Sequence, residues 1–260
     1  MFANNAGHPG PGLEEITMFL TADWPAPANI SVVTTTRAGG VSRPPYDTFN
    51  LATHVGDDPQ AVRTNRERLI EQLALPDEPL WLDQVHGAEV AMPGAGPGVR
   101  ADAAWTDRPG SVLAVLTADC VPVVLCNHSG TELAVAHAGW RGLAEGVLEQ
   151  AVGRFSGVPE RLRAWIGPAI GPEHYEVGPE VREALMAANA WNSEAFTATA
   201  GNRWHLDLFA IVRRELGRLG VSRIYGGGVC THADPKRFYS YRRDGRTGRM
   251  ATLAWMRAGI

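Results

Sequence analysis

Between Ser111 and Ala138 the chain carries three apolar runs, SVLAVLTA, VPVVLCN and TELAVAHA, with only two or three turn-like residues between successive runs. Each run is rich in Val and Leu and bounded by turn formers, so they read as successive strands. Strands this dense exceed what a simple βαβ repeat supplies, and the chain must group them into sheets larger than one crossover unit builds.

The flanking sequence alternates between strand and helix patterns. ISVVTTT (30–36) is β-branched and reads as a strand running into a long ordered loop, RAGGVSRPPYDTFN, marked by Gly39, Gly40, Pro44 and Pro45. DDPQAVRTNRERLIEQLAL reads as a helix capped by Asp57 or Asp58, with Val62, Leu69, Ile70 and Leu73 on its apolar face. WLDQVHGAEV alternates and reads as a strand or strand end through His86. After AGWRG the period changes, and LAEGVLEQAVGRF reads as one helix. RAWIGPAI is a strand candidate. VGPEVREALMAAN and DLFAIVRRELGRLG are helices, the second starting at Asp207. SRIYGGGV opens as a strand and becomes loop, and RMATLAWMR is the last strand. The fold class expected is α+β. Residues 1–12, rich in Gly, Pro and Asn, suggest a flexible N-terminal tail over 1–20, leaving 21–260 as a single domain without a linker or repeat.

Several function classes find no support. The net charge is 24 − 28 = −4 with no basic block, which argues against nucleic acid. The apolar run from Val112 to Cys126 is interrupted by TAD and Pro122, too short and too polar to span a membrane. The first twenty residues lack the charged start and apolar core of a signal peptide, so a cytoplasmic protein is expected. Three cysteines at these spacings make no disulfide framework. No GxGxxG follows a strand and no P-loop occurs. No obligate protein partner is evident.

Chemistry gathers at strand ends. His86, Cys120 and His137 each stand at the edge of an expected strand, where neighbouring ends can converge on a rigid scaffold. Two imidazoles and a thiolate suit zinc with a fourth position open, and copper equally by softness. The same atoms permit a second reading, a Cys120 nucleophile with His137 or His86 as base. A third makes Cys120 and His137 packed interior residues, as free cysteines often are. Cys126, inside its run, is assigned to the core. Asp119 either orients an imidazole or closes its own turn. Arg37, leaving a strand into glycines, together with Arg66 and Arg141, are candidates to bind an anion.

At this point TTTRAGGVSRPPYDTFNLATHVGDDP, WLDQVHGAEV, ADAAWTDRPG, LTADCVPVVL, AHAGWRG, WIGPAIGPEHYEVG and FYSYRRDGRTGRMA together resemble the laccase-domain purine nucleoside phosphorylase family, formerly called multicopper polyphenol oxidases, over roughly residues 30–254. The resemblance implies a layered α/β sandwich with mixed β-sheets and a Zn2+ on His86, Cys120 and His137. It also implies phosphorolysis of adenosine, and of inosine, guanosine and methylthioadenosine, with purine nucleosides and phosphate as small-molecule partners and adenosine deamination as a second reaction. Catalytic roles fall on His86, Cys120, His137 and Arg37, and phosphate binding on Arg37, Arg66 and Arg141. Alternatives left open are a cysteine- or metal-dependent hydrolase of peptidoglycan precursors, a single-copper (Cu2+) oxidase, and a nucleoside-binding module. Four coppers need about ten histidines, usually as HxH pairs; this chain has eight and no HxH. The late residues Gly226, Gly227, Gly228, Cys230 and Thr231 resemble the family's loop beside the site, and Tyr241 and Arg242 are further candidates for contact.

Overall fold

The structure is a computed structural model and describes residues 17–258. Its strands form two large sheets and one small one. The first is wholly antiparallel, in the order β1 (Phe19–Thr21), β2 (Ile30–Thr35), β13 (Met250–Met256), β5 (Val112–Thr117). The second runs β12 (Arg223–Gly226), β8 (Leu162–Ile166), β6 (Val121–Asn127), β7 (Leu133–Ala138), β4 (Ala103–Thr106), β3 (Val90–Ala91). It is mixed: the β12/β8 and β3/β4 pairs at its edges are parallel, and the inner pairs are antiparallel. A three-stranded antiparallel sheet of β9 (Glu176–Val177), β10 (Phe196–Ala198) and β11 (Trp204–Leu206) lies apart from both.

Side-chain alternation explains the layering. Along β6, Val121, Val123 and Leu125 face one core while Val124 and Cys126 face another; along β7, Ala134 and Ala136 oppose Leu133 and Val135 in the same way. One core lies between the two large sheets, where Val124, Cys126 and Val135 meet Val32, Val115 and Met256. A second packs the six-stranded sheet against the helices α2 (Trp140–Ala144), α3 (Val147–Val152), α4 (Pro179–Ala188) and α5 (Leu208–Arg218). A third packs the four-stranded sheet against α1 (Pro59–Leu73) through Leu69, Leu116 and Leu253. The order is therefore helix, sheet, sheet, helices. Sheets covered on both faces carry continuous apolar runs instead of half-polar ones, which is why the runs at 111–138 look so dense. The expected α+β class and layered sandwich with mixed sheets stand.

Local differences have local causes. LAEGVLEQAVGRF is two short helices, because Gly146 adopts a left-handed conformation (φ 85°) between α2 and α3. WLDQVHGAEV is not a strand through His86: that residue turns at φ 64°, and regular pairing begins only at Val90. Phe19 and Leu20, placed in the tail from sequence, pair with Thr35 and Thr34 in β1, since apolar MFL completes the sheet edge; residues 1–16 of that expected tail lie outside the described residues. The small third sheet has no counterpart in the sequence reading, its strands being two or three residues long.

The long loop 37–50 is ordered by a polar side chain on α1. Asn65 is fully buried; its Nδ2 lies 2.9 Å from both Ser42 Oγ and the Asn50 carbonyl, and its Oδ1 accepts the Val41 N–H at 2.9 Å. Asn65→Ala leaves these buried groups without partners and is expected to lower unfolding free energy by about 2–4 kcal/mol. Urea denaturation checks this; a midpoint equal to the parent's would refute the loop's dependence on Asn65.

Candidate metal centre

Cys120 lies where the chain leaves one large sheet for the other. β5 ends at Thr117, β6 begins at Val121, and the turn Ala118–Asp119–Cys120 bridges the two layers. Asp119 makes this turn at φ 100°, a conformation costly for a residue with a Cβ. It is held there by its carboxylate: Oδ1 accepts the Thr231 hydroxyl at 2.7 Å, and Oδ2 accepts the Ser240 hydroxyl at 3.0 Å and the Arg242 N–H at 2.7 Å. Asp119 thus closes its turn and ties two late loops to it. The imidazole is oriented by another residue.

That residue is Asp102, which sequence reasoning missed. It stands just before β4, is completely buried, and its Oδ1 lies 2.8 Å from Nδ1 of His137. The same carboxylate accepts three successive backbone N–H groups, those of Val85, His86 and Gly87, at 3.0, 2.9 and 2.7 Å. Gathering consecutive amides on one side curls the backbone, so Asp102 both prevents a strand at His86 and sets that residue's turn. Gln84 completes the anchoring: its side-chain amide exchanges two hydrogen bonds with the Leu116 backbone in β5, at 2.9 and 2.7 Å. One signal in the sequence could have found Asp102, namely a carboxylate set among small apolar residues in ADAAW, which a buried partner must explain.

His137 occupies β7 opposite Pro122, and its strand neighbour Val135 points into the intersheet core, so His137 caps the end of that core. With Nδ1 held by Asp102, its Nε2 faces the cluster. The His86 ring stands edge-on to it, with centroids 4.9 Å apart at 72°, and His86 Nε2 is 3.9 Å from Cys120 Sγ. The ligand atoms of His86, Cys120 and His137 all lie within 4.8 Å of one another. Tetrahedral zinc with bonds of about 2.0–2.3 Å separates its ligand atoms by roughly 3.5 Å, so the donor set fits such an ion after small side-chain adjustments. Gly139 keeps the space clear. A Cβ there would lie 2.9 Å from Cys120 Sγ and 3.1 Å from His86 Cδ2. Gly142 similarly lets α2 rest on the His86 turn, since a Cβ would meet the Gly87 carbonyl at 2.9 Å. Among the described residues this is the one cluster of three or more such ligands, which offers nothing to build a four-copper centre.

Electrostatics prepare the trio for a cation. Burial alone would raise the Cys120 thiol, but the His137 imidazolium and hydrogen bonds from both histidines reverse this and draw it down to about 6. Burial would lower His137; the Cys120 thiolate and the Asp102 carboxylate instead raise it to about 9. Asp102, though buried, is held below the usual carboxylate range by His137 and the Gly87 and Val85 amides. Cys126 behaves oppositely: fully enclosed, its thiol is pushed up to about 12 by burial and stays protonated core, as expected.

Trp140, next in chain to Gly139, opens a cavity of about 590 Å³ walled also by Arg141, Tyr175, Glu176, Arg203 and Arg242; none of the three ligands lines it. Arg141 stacks over the Trp140 ring at 4.3 Å and Arg242 over Tyr175 at 4.7 Å. Tyr175 is kept protonated by burial and by the Cys120 charge. Arg66 reaches back from α1 to donate Nε to the Leu51 carbonyl at 3.0 Å, its plane over Trp81 at 4.0 Å. Arg37 is committed elsewhere: Nε donates to the Asp47 carbonyl, Nη1 to the Pro235 carbonyl, and Nη2 pairs with the Asp47 carboxylate at 3.1 Å. It ties two loops together and stacks on Tyr239. Arg249, not singled out from sequence, has the Cys120 thiolate as a charged neighbour.

Fold and site together define a layered α/β protein with a Cys/His₂ centre at the seam of its two sheets. A family model described as multi-copper polyphenol oxidoreductase laccase matches residues 31–257, and the chain belongs to this laccase-domain family. Its sequence is 51% identical over 240 residues to a purine nucleoside phosphorylase of Pseudomonas aeruginosa, covering 92% of this chain and 98% of that one. It is 48% identical over 243 residues to the purine nucleoside phosphorylase YfiH of Escherichia coli, covering 93% and 100%. The crystal structure of a Neisseria meningitidis protein superposes with a TM-score of 0.88 at 44% identity, covering 93% of this chain and all (100%) of that one. Among the described residues no helix is long and apolar enough to cross a membrane.

Two outcomes follow from the geometry. Asp102→Asn keeps the shape but removes the charge that orients His137, and should weaken zinc binding about 10- to 100-fold in competition with a chromophoric chelator; unchanged affinity would discard the orienting role. At pH 7.5 the metal-free site carries a thiolate at Cys120 and a proton on His137. Zinc must displace that proton, so calorimetry in buffers of different ionisation enthalpy should show about one proton released per ion. Release falls toward zero as pH passes the His137 value and increases below the Cys120 value, where the thiol too must give up its proton.

Proposed function

We propose that the chain is a zinc-dependent purine nucleoside phosphorylase acting chiefly on adenosine, with inosine, guanosine and methylthioadenosine as further substrates. The observation that carries this reading is the His86–Cys120–His137 trio, with His137 oriented by Asp102, in a chain whose relatives bear that enzyme's name. A zinc ion on these three ligands would supply a Lewis-acid centre with one position open to the substrate. In phosphorolysis a phosphate oxygen bonds to C1′ of the ribose while the C1′–N9 bond breaks, its electron pair leaving with the base.

The chain's own residues have separable tasks. The cavity is large enough for a nucleoside, and Trp140 and Tyr175 give it aromatic walls against which a purine can stack. Tyr175, kept protonated, offers a neutral hydrogen-bond donor to a ring nitrogen of the departing purine. Arg141 and Arg66 provide guanidinium groups for the phosphate, whereas Arg37 is taken up by Asp47 and the Pro235 carbonyl. Deamination of adenosine to inosine is a second reaction of the same site, and a cytoplasmic location suits both. A cysteine-nucleophile mechanism is the competing reading. It is favoured by the thiolate–imidazolium pairing of Cys120 with His137.

Incubation with adenosine and phosphate, followed by chromatography, should give adenine and ribose 1-phosphate. His86→Ala and Cys120→Ala should lose both bound zinc and at least about 1,000-fold of kcat/KM, the scale of removing a main catalytic group. Full zinc occupancy in Cys120→Ala defeats the ligand assignment. A metal-free preparation that turns over adenosine and is silenced by thiol alkylation establishes the nucleophile instead.

A further inference from the structure

The six-stranded sheet has a second cavity, at its end away from the metal centre. Its volume is about 610 Å³, and it is walled by Trp105 of β4, by the hairpin between β6 and β7, and by the chain from Arg154 to Leu162 that follows α3. β7 runs from this end toward His137, and the stretch from Glu132 to His137 spans about 16 Å at the usual rise of a strand. The two cavities share no wall residue, and none of the three metal ligands lines this one.

The buried acid of this cavity is spent on holding its walls together. Glu132 is 7% exposed; its carboxylate accepts the Ser156 N–H at 2.9 Å, the Ser156 hydroxyl at 3.0 Å and the Asn127 side-chain amide at 2.8 Å. Asn127 Oδ1 in turn accepts the Thr131 N–H at 2.9 Å. The hairpin and the loop after α3 are thereby fixed to each other. What is left over is donors. The Trp105 indole N–H is buried and has no acceptor, although buried N–H groups nearly always find one. Arg154 and Arg161 stand in the same wall, and among the described residues neither lies within ion-pair distance of an acidic side chain. Arg163, on β8, donates Nη1 to the wall residue His128 at 3.3 Å, while its Nε is buried without a partner. The remaining acid in the wall is Asp107, exposed and paired with neither arginine. Exposed arginines alone would say little; an orphaned indole N–H in the wall they share asks for an acceptor.

We propose that this cavity is a second ligand site, one that takes a small phosphate monoester. Arg154 and Arg161 supply guanidinium edges suited to two parallel bonds with a phosphate, and the Trp105 N–H supplies a neutral donor. The acidic chain, at net −4, gives no general attraction for anions, so the local excess of positive charge has to do the selecting. Asp107 repels a second anionic group and accepts hydrogen bonds from hydroxyls, which favours a ligand with one phosphate and a neutral, hydroxylated body, as in a sugar phosphate. The volume suits a molecule of that size. Binding here requires neither the metal nor turnover, so it stands apart from the phosphorolysis reading.

Calorimetric titration of ribose 5-phosphate into the full, zinc-loaded chain tests the site. Arg154→Gln and Arg161→Gln should each weaken binding about 10- to 100-fold, the loss of charge-assisted hydrogen bonds. Trp105→Phe, which keeps a ring and removes the N–H, should weaken it about 3- to 10-fold. Arg108→Gln, outside the cavity, should bind as the parent does, and so should the parent stripped of metal by a chelator. Both wall arginines are exposed, so their variants keep the fold; if Trp105→Phe misfolds, the arginine variants decide. Binding equal to the parent's in both arginine variants, or no binding by the parent, overturns the site. Binding that vanishes with the metal assigns the ligand to the metal centre and likewise overturns it. Inorganic phosphate held as tightly as ribose 5-phosphate overturns the assignment to a monoester.

Discussion

The Asp102 carboxylate is the contact on which the functional geometry depends. A single buried charge, satisfied by one imidazole and three amides, determines where two of three candidate ligands point. A buried carboxylate left short of partners would be costly, so its network favours the whole set or none of it. The turn at His86 and the tautomer of His137 are thus two results of one constraint. The third ligand has its own brace, the Asp119 carboxylate, which binds late loops instead of ligands. Two acids perform related tasks from opposite sides of the seam.

Charge around this seam runs against the chain as a whole. The protein is acidic overall, with a net charge of −4, yet Arg141 and Arg242 stack on Trp140 and Tyr175 in the adjoining cavity, and Arg249 has Cys120 as a charged neighbour. Several guanidinium groups rest on aromatic rings instead of on carboxylates. Stacking holds a planar cation in place while leaving its edge N–H groups available. An anionic reactant would meet pre-oriented donors that need little reorganisation.

Much of the architecture was legible because both large sheets are covered on two faces, which writes strands as uninterrupted apolar runs. The helices at 59–73, 179–188 and 208–218 were readable from caps and period. What escaped notice was decided by contacts distant in sequence. His86 sits in a turn because of a carboxylate at position 102, and Gly146 breaks a helix whose flanks are both helix-like. His86, Cys120 and His137 could be picked out as strand-end residues, but their convergence depends on sheet order, which no spacing reveals. Arg37 looked favourable from its glycines, yet Asp47, ten residues on, takes its guanidinium. Arg249 gave no signal of its own: its relevance comes from β13 being threaded between β2 and β5.

That threading has a consequence for the order of assembly. β13, at residues 250–256, is the inner strand that joins β2 to β5, and β5 carries the chain into the Cys120 turn. During synthesis β5 emerges long before the strand that will flank it, so the four-stranded sheet cannot close until the chain has lengthened by well over a hundred residues beyond the Cys120 turn. Non-local pairing of this kind is slow and late. Ser240 and Arg242, which brace Asp119, also come from this last stretch. The turn that carries Cys120 therefore receives its last braces only when the C-terminal stretch has been made.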